Sequence, residues 1–431
     1  MNNFWNYEEF SQMHIELTNA CNAACPMCQR FLYGSPLVRP DLVLEQITLE
    51  KFMKYFPPEV IQKMHLILFC GTQGDPCMAK DFLEICQYIS DTSENTAVRV
   101  NTNGGMRGPE WWEKVGKLFG QHTESVLHHW VMTFSIDGLE DTNHIYRRNV
   151  KWPKLMENVK AFIAGNGRGA RTSWDYLIFG HNEHQIEEAR KISHDLGFQY
   201  FMPKKALGVD DGTHLKDMPA LNSEGKVEYY IKAPKLPENR NLEVPEGQCD
   251  SGACEFERED YNEWRKRGHV FTHKFNREDL KKYDHFNSCE INCKSAPYFP
   301  KGKEIFVDNF GYVLPCCYIG THMNSISGNR ADINQLHASL DDIGKEKFSL
   351  EKYSLKEILD GQYLNTVYAN TWDLPSASEG KMIFCSDTCG SFSRIDKIYD
   401  HKGAERKHYA IQPRPKPAIP GNFCATEDKN E

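Results

Sequence analysis

Between residues 13 and 203, short apolar runs alternate with segments of helical periodicity, and this alternation leaves few folds open. Strands are predicted at 13–18, 64–70, 97–102, 130–136, 173–179 and 198–203. Helices are predicted at 47–56, with Thr48 as N-cap, and near 80–93, 109–119, 149–164 and 183–196. The run MHLILFC at 64–70 has no polar face, as expected of a strand buried on both sides. Strands separated by helices mean parallel pairing with crossover connections, so the fold class is α/β, doubly wound or barrel-like. In either architecture the loops after the strands carry the chemistry. Those loops are a cysteine triple after the first strand, then GTQGDP, NTNGG, SIDG and FGHN.

The 431 residues carry 51 basic and 60 acidic side chains. A net charge of −9 argues against a general nucleic-acid binder. No apolar run has membrane-spanning length, and the opening MNNFWNYEEF lacks the basic and apolar regions of a secretory signal. A cytoplasmic protein with no membrane partner is the expectation. Fifteen cysteines, an odd number in so long a chain, read as reduced thiols and not as a disulfide framework. They are bunched at 21, 25 and 28, at 70, 77 and 86, and again from 249 onward, with none between 87 and 248. Such bunching points to ligand sites.

Cys21-Asn-Ala-Ala-Cys25-Pro-Met-Cys28 offers three soft donors from one tight loop, suited to an iron–sulfur cluster, zinc or copper(I). Three thiolates on a four-iron cubane leave the fourth iron open, and an open position serves chemistry where a closed shell serves structure. A zinc or purely structural loop is the alternative.

The segment IELTNACNAACPMC resembles the cluster loop of the radical S-adenosylmethionine (radical SAM) superfamily. The resemblance implies a partial (β/α)6 TIM barrel over residues 10–205. It also implies a four-iron four-sulfur cluster on Cys21, Cys25 and Cys28, with S-adenosyl-L-methionine chelated at the open iron. Reductive cleavage of the sulfonium would then give a 5′-deoxyadenosyl radical that abstracts hydrogen from a substrate. An electron donor such as flavodoxin or ferredoxin is implied as well. The other rim loops extend the resemblance. Gly71-Thr-Gln-Gly74-Asp75-Pro76 is similar to the family's G-G-E-P, whose backbone holds the methionyl ammonium, with Asp75 one methylene shorter than the usual Glu. Asn101-Thr-Asn103-Gly is similar to T-N-G. Ser135-Ile-Asp137-Gly138 is similar to S-x-D-G, with Ser135 reaching the ribose or carboxylate, and His144-x2-Arg147 follows it, Arg147 either extending the match or standing as a solvated helix charge. Asn182 stands where the family often has Asn, or caps the next helix. Met27 departs from the aromatic residue common there. The glycine-rich GNGRG at 165–169 precedes a strand and is a loop, not a dinucleotide fingerprint.

Residues 206–285 are rich in charge, Gly and Pro and read as a linker or insertion without strand signals, with helices plausible at 255–267 and 277–284. Residues 286–395 read as a smaller cysteine-rich domain containing a strand pair in EIFVDNFGYVLPCC, and 396–431 as an extended tail. Cys293, the G-x4-C of Gly311 and Cys316, and Cys385-x3-Cys389 resemble the SPASM and twitch auxiliary-cluster domains of radical SAM enzymes. The resemblance implies one auxiliary four-iron cluster on Cys293, Cys316, Cys385 and Cys389. Cys289 and Cys317 are rival ligands, and zinc is the other metal such a set would take. Cys249, Cys254 and Cys424 read as loop and tail thiols, Cys70 and Cys77 as rim packing, and Cys86 as core. SPASM and twitch relatives act on peptides, proteins or small alcohols, so a peptide, protein or small-molecule substrate follows. A non-catalytic iron–sulfur or zinc protein, or a redox sensor on the same scaffold, is the competing class.

Overall fold

In the computed structural model the predicted alternation becomes six parallel strands. The structure describes residues 3–240 except 33, 41, 123–129, 168–170, 207–208, 210–214 and 216, together with 287, 289–293, 303–323 and 331–390. The strands are β1 (Phe10–Ile15), β2 (Leu66–Phe69), β3 (Ala97–Thr102), β4 (Val131–Ser135), β5 (Arg171–Ile178) and β6 (Tyr200–Lys205). Each pairs in parallel with the next. The helices between them are α1 (Leu49–Tyr55), α2 (Pro58–Lys63), α3 (Phe82–Thr92), α4 (Pro109–Gly120), α5 (Asn143–Tyr146), α6 (Trp152–Asn166) and α7 (Ile186–Leu196). Thr48 caps α1 as expected, its side chain accepting from the Lys51 N–H. Gly167, in the glycine-rich 165–169 run, is a left-handed C-cap of α6.

The first strand begins and ends three residues earlier than its apolar alternation indicated. Residues beyond Glu16 leave the sheet for another partner: Ile47 N donates to Leu17 O, and Asn19 N to Glu45 O. The sheet also extends past β1. Strand β9 (Lys303–Val307) lies parallel to β1, and β10 (Val313–Leu314) folds back antiparallel on β9 through a turn with Gly311 at φ +82°. The order is β10-β9-β1-β2-β3-β4-β5-β6, an open, mostly parallel α/β sheet, as a partial barrel requires. A separate antiparallel pair, β7 (Met218–Leu221) and β8 (Val227–Ile231), corrects the expectation that 206–285 lacks strands. Its alternation is carried by Glu228, Tyr229 and Tyr230 at an exposed edge, so it did not stand out as an apolar strand.

The two faces of the sheet differ. Phe69, Phe134 and Trp174 face the helices, where Phe69 meets Phe52 and Phe82 and Phe134 meets Trp112 and Phe162. The opposite positions, set by the strand registers, include Gln12, His14, Glu16, Leu68, Cys70, Arg99, Asn101, Ser135, Asp175 and Lys204. Most of these side chains are polar, and those from Leu68 through Lys204 are half-exposed or exposed.

The chain then adds α8 (Cys317–Met323), α9 (Ala331–Ile343), α10 (Leu355–Asp360), α11 (Tyr363–Val367) and α12 (Ile383–Cys389). α10 opens with a capping box between Ser354 and Glu357. The N-terminus packs on this part: Trp5 N donates to Asn365 Oδ1 at 2.9 Å, and Trp5 meets Tyr368 and Trp372 edge to face. Cys249, Cys254, Cys424, the helices expected at 255–267 and 277–284, and the tail from 396 lie outside the described residues.

Candidate active site

The cysteine loop leaves the end of β1 and turns back under backbone control. Ala24 N donates to Arg148 O, Cys28 N to Cys25 O, and Phe31 N to Cys28 O. Cys25 is buried, while Cys21 and Cys28 are half-buried. Burial pushes all three thiols up, Cys28 to about 11; Asp75, Cys25 and Cys28 add to the rise at Cys21, and Cys25 to that at Cys28. Three thiols that resist ionising suit a soft cationic metal group that would hold them as thiolates. Among the described residues no three His, Cys, Asp or Glu converge closely enough for a single ion. A cubane gives each thiolate its own iron and takes its ligands further apart.

The loop after β2 is pinned by two carboxylates. Glu16 accepts from Thr72 Oγ1 at 2.6 Å, Gln73 N at 2.8 Å and Gly74 N at 3.1 Å. Burial pushes the Glu16 carboxyl up to about 7. Gly74 lies so close to the β1 end that a Cβ there would meet Thr18 O at 1.8 Å. Its N–H belongs to Glu16. Asp75 is buried and accepts from Thr102 Oγ1 at 2.9 Å, Asn103 N at 2.8 Å, Asn103 Nδ2 at 2.9 Å and Cys77 N at 3.1 Å. Burial holds its carboxyl up at about 6. Asn103 also reaches Asn22 Oδ1 at 3.0 Å and Cys21 Sγ at 3.6 Å. Asp75 and Asn103 therefore tie three rim loops together.

After β4, Ser135 takes an interior position beside Asp175 of β5. Asp137 is buried and accepts from Arg147 Nε at 2.5 Å and Leu177 N at 2.6 Å. Arg147 Nη1 lies 3.8 Å from Cys25 Sγ. Burial works against this guanidinium, but Asp137 and Cys25 overcome it and hold it protonated. Arg147 is thus no solvated helix charge, whereas His144, three residues before it, is exposed. Asn182 is wholly buried; its Nδ2 donates to Asp137 O and Leu177 O, both at 2.9 Å, and its Oδ1 accepts from Phe179 N at 2.7 Å. It makes no side-chain cap to the following helix, which corrects that alternative. Both its N–H groups are committed within the protein, so it positions the loops after β4 and β5.

The second cysteine set converges from three segments. Burial pushes Cys316 well up, with Cys317, Cys293 and Cys385 adding to it; Cys385 behaves likewise, with Cys293 and Cys389 acting on it. The two rivals lie beside the same set: Cys317 also acts on Cys316, and Cys289 approaches the carbonyl of Ser386, between Cys385 and Cys389. Cys289 Sγ lies 3.7 Å from Ser386 O, and Cys317, pushed up to about 12 by burial, is next influenced by Glu304 and Cys70. Cys77 and Cys86 are buried, while Cys70 faces the barrel interior, where Asn101 Nδ2 lies 3.3 Å from its sulfur.

Sequence reasoning passed over Glu16, Thr102, Gln12 and Glu304. Their signal was available: polar side chains at alternate positions of strands that are otherwise apolar.

An open, mostly parallel sheet with a three-cysteine loop and glycine-rich turns on one rim defines a partial-barrel α/β protein. Residues 15–192 match the sequence profile of the radical SAM superfamily. Among curated relatives, a GTP 3′,8-cyclase of Aeromonas hydrophila is 24% identical over 187 residues, covering 41% of this chain and 48% of that protein. The molybdenum cofactor biosynthesis protein moc-5 of Caenorhabditis elegans is 31% identical over 96 residues, covering 22% of this chain and 15% of that protein. The chain thus spans less than half the length of these relatives. Among solved structures, Streptococcus suis SuiB bound to S-adenosylmethionine aligns at 11% identity and TM-score 0.41, covering 75% of this chain and 62% of that one. AnSMEcpe with bound AdoMet aligns at 12% identity and TM-score 0.43, covering 91% and 96%.

Proposed function

We propose that the chain is a radical SAM enzyme that cleaves S-adenosylmethionine reductively and abstracts hydrogen from a peptide, protein or small-molecule substrate. The observation that carries this reading is the trio of buried thiols Cys21, Cys25 and Cys28 beside the Arg147 guanidinium, on the rim where the Gly74, Asn103 and Ser135 loops meet. A four-iron four-sulfur cluster on these thiols, reduced by flavodoxin or ferredoxin, would supply the electron that breaks the sulfonium C–S bond. The chain's own residues do the rest. Carbonyls of the Gly74 loop accept the methionyl ammonium, held in place by Glu16. Asp75 fixes the Asn103 loop against the cysteine loop. Ser135 offers a hydroxyl from β4. The helices cover the outer face of the sheet, and the polar interior receives the substrate away from bulk water. Cys293, Cys316, Cys385 and Cys389 would hold an auxiliary cluster, for electron transfer or substrate binding, in a cytoplasmic enzyme.

The test is anaerobic reconstitution with iron and sulfide, then dithionite and S-adenosylmethionine, with 5′-deoxyadenosine measured. Formation that disappears in Cys25→Ala supports the enzyme reading. No formation from fully iron-loaded protein favours a non-catalytic binding or redox-sensing role.

A further inference from the structure

The interior side of β1 and β9 carries two polar side chains that the fold itself does not use. Gln12 and Glu304 are Cα partners across the parallel pair. The next partners on that face, His14 and Phe306, meet edge to face at 4.9 Å, so both strands present the same side. Gln12 is wholly buried, and neither Nε2 nor Oε1 has a hydrogen-bond partner among the described residues. Glu304 is 5% exposed, and its Oε2 has none. Burying an unpaired amide or carboxylate is costly, and packing does not return that cost. The position does not demand polarity, because the partner of Gln12 on its other side is Leu66.

The surroundings give the pair a direction. Helix α8 crosses the interior side of β9 so closely that a Cβ on Gly320 would meet the Phe306 ring at 2.2 Å. Cys317, the first residue of α8, feels the Glu304 charge and that of Cys70 at the end of β2. Among the described residues no cation serves Glu304: burial is the whole cause that lifts its carboxyl to about 7. The interior Lys204 is paired with Asp175, and Arg99 stands on β3, beyond β2.

We propose that Gln12 and Glu304 form a substrate subsite in the barrel interior for a cationic nitrogen, an alkylammonium or guanidinium group. This rests on the enzyme reading above, in which the interior receives the substrate. The Glu304 carboxylate supplies the counter-charge and Gln12 Oε1 accepts an N–H. Gln12 Nε2 donates to an acceptor beside the cation on the same ligand. Gln12 precedes Glu16 by four residues, about 13 Å along an extended strand. The substrate therefore carries its cation well away from the group held at the rim.

The experiment titrates full-length reconstituted protein at pH 8 with n-propylammonium chloride, n-propanol and sodium propionate, read by calorimetry. Propylammonium is expected to bind with a millimolar dissociation constant, and the neutral and anionic probes at least tenfold more weakly. Glu304→Gln, which keeps the side-chain shape, is expected to weaken propylammonium tenfold or more. Gln12→Leu is expected to weaken it also, with circular dichroism verifying the fold of each. Indifference of the wild-type protein to propylammonium overturns the proposal and leaves solvent as the partner of these atoms. So does equal binding by folded Glu304→Gln, or a preference for propanol or propionate. Failure of the enzyme reading would appear separately, as absent 5′-deoxyadenosine with this binding intact.

Discussion

The Asp75 carboxylate grips Asn103 twice, at its backbone N–H (2.8 Å) and at its side-chain amide (2.9 Å). The same amide lies 3.6 Å from Cys21 Sγ, so one carboxylate sets the position of a neighbour of the cysteine loop. Asp75→Ala leaves those buried donors unpaired, at about 1–3 kcal/mol for each. It is expected to lower the iron retained after reconstitution, measured per chain by colorimetric assay. Asp75→Asn, which keeps one acceptor oxygen, is expected to retain more.

Arg147 joins the buried Asp137 to Cys25, with its Nη1 3.8 Å from that sulfur. Removing it in Arg147→Met strands Asp137, at about 3–5 kcal/mol of stability. It also withdraws positive charge from a cluster thiolate, which makes reduction harder. The expected result is a lower midpoint potential in an EPR-monitored redox titration. Arg147→Lys should restore most of the potential while recovering less of the stability, since it loses the Nε–carboxylate geometry.

The second cysteine set contains four expected ligands and two rivals beside them. Cys293 and Cys385 act on Cys316, and Cys293 and Cys389 on Cys385, while Cys317 acts on Cys316 and itself feels Glu304 and Cys70. Cys385→Ala is therefore expected to remove about half of the bound iron, as for one of two four-iron clusters. Cys289→Ala and Cys317→Ala are expected to leave it unchanged. Zinc in place of iron at this set would sink the cluster assignment.

Glu304 makes stability depend on pH in an unusual direction. Its carboxyl rises from an ordinary value of 4.5 to about 7 in the fold. Between those values the native chain keeps a proton that the unfolded chain has released. Its contribution is therefore fully present below about pH 4.5 and is lost as pH rises to 7. Glu304→Gln is expected to raise stability at pH 8 by up to about 3 kcal/mol and to flatten the dependence, measured by urea unfolding at several pH values. Glu16, also pushed up to about 7, leaves a residual slope.

The parallel sheet and its rim loops were legible because their signals are local. The strand at 97–102 and the helix cap at Thr48 can be read from a few neighbouring residues. The cysteine loop was legible for the same reason. What escaped depends on partners distant in sequence. Nothing near Glu304 announces that it sits beside Gln12, because the register of β9 on β1 is settled by the whole barrel. Whether Arg147 extended the match or was a helix charge stayed open, because its role depends on Asp137 and on Cys25, 122 residues earlier. The β7/β8 pair was hidden by side chains that serve an exposed edge.

The pairing of β9 with β1 sets a timetable for biosynthesis. Phe10 pairs with Lys303, so β1 has to wait for nearly three hundred further residues before its outer edge is covered. At about 5–20 residues per second, that wait is roughly 15–60 s. Throughout it, the nascent chain already carries Cys21, Cys25 and Cys28 beside an unpaired strand edge. Chaperone binding and cluster delivery thus compete for the same end of an unfinished sheet, and slower translation of the intervening segment lengthens that competition.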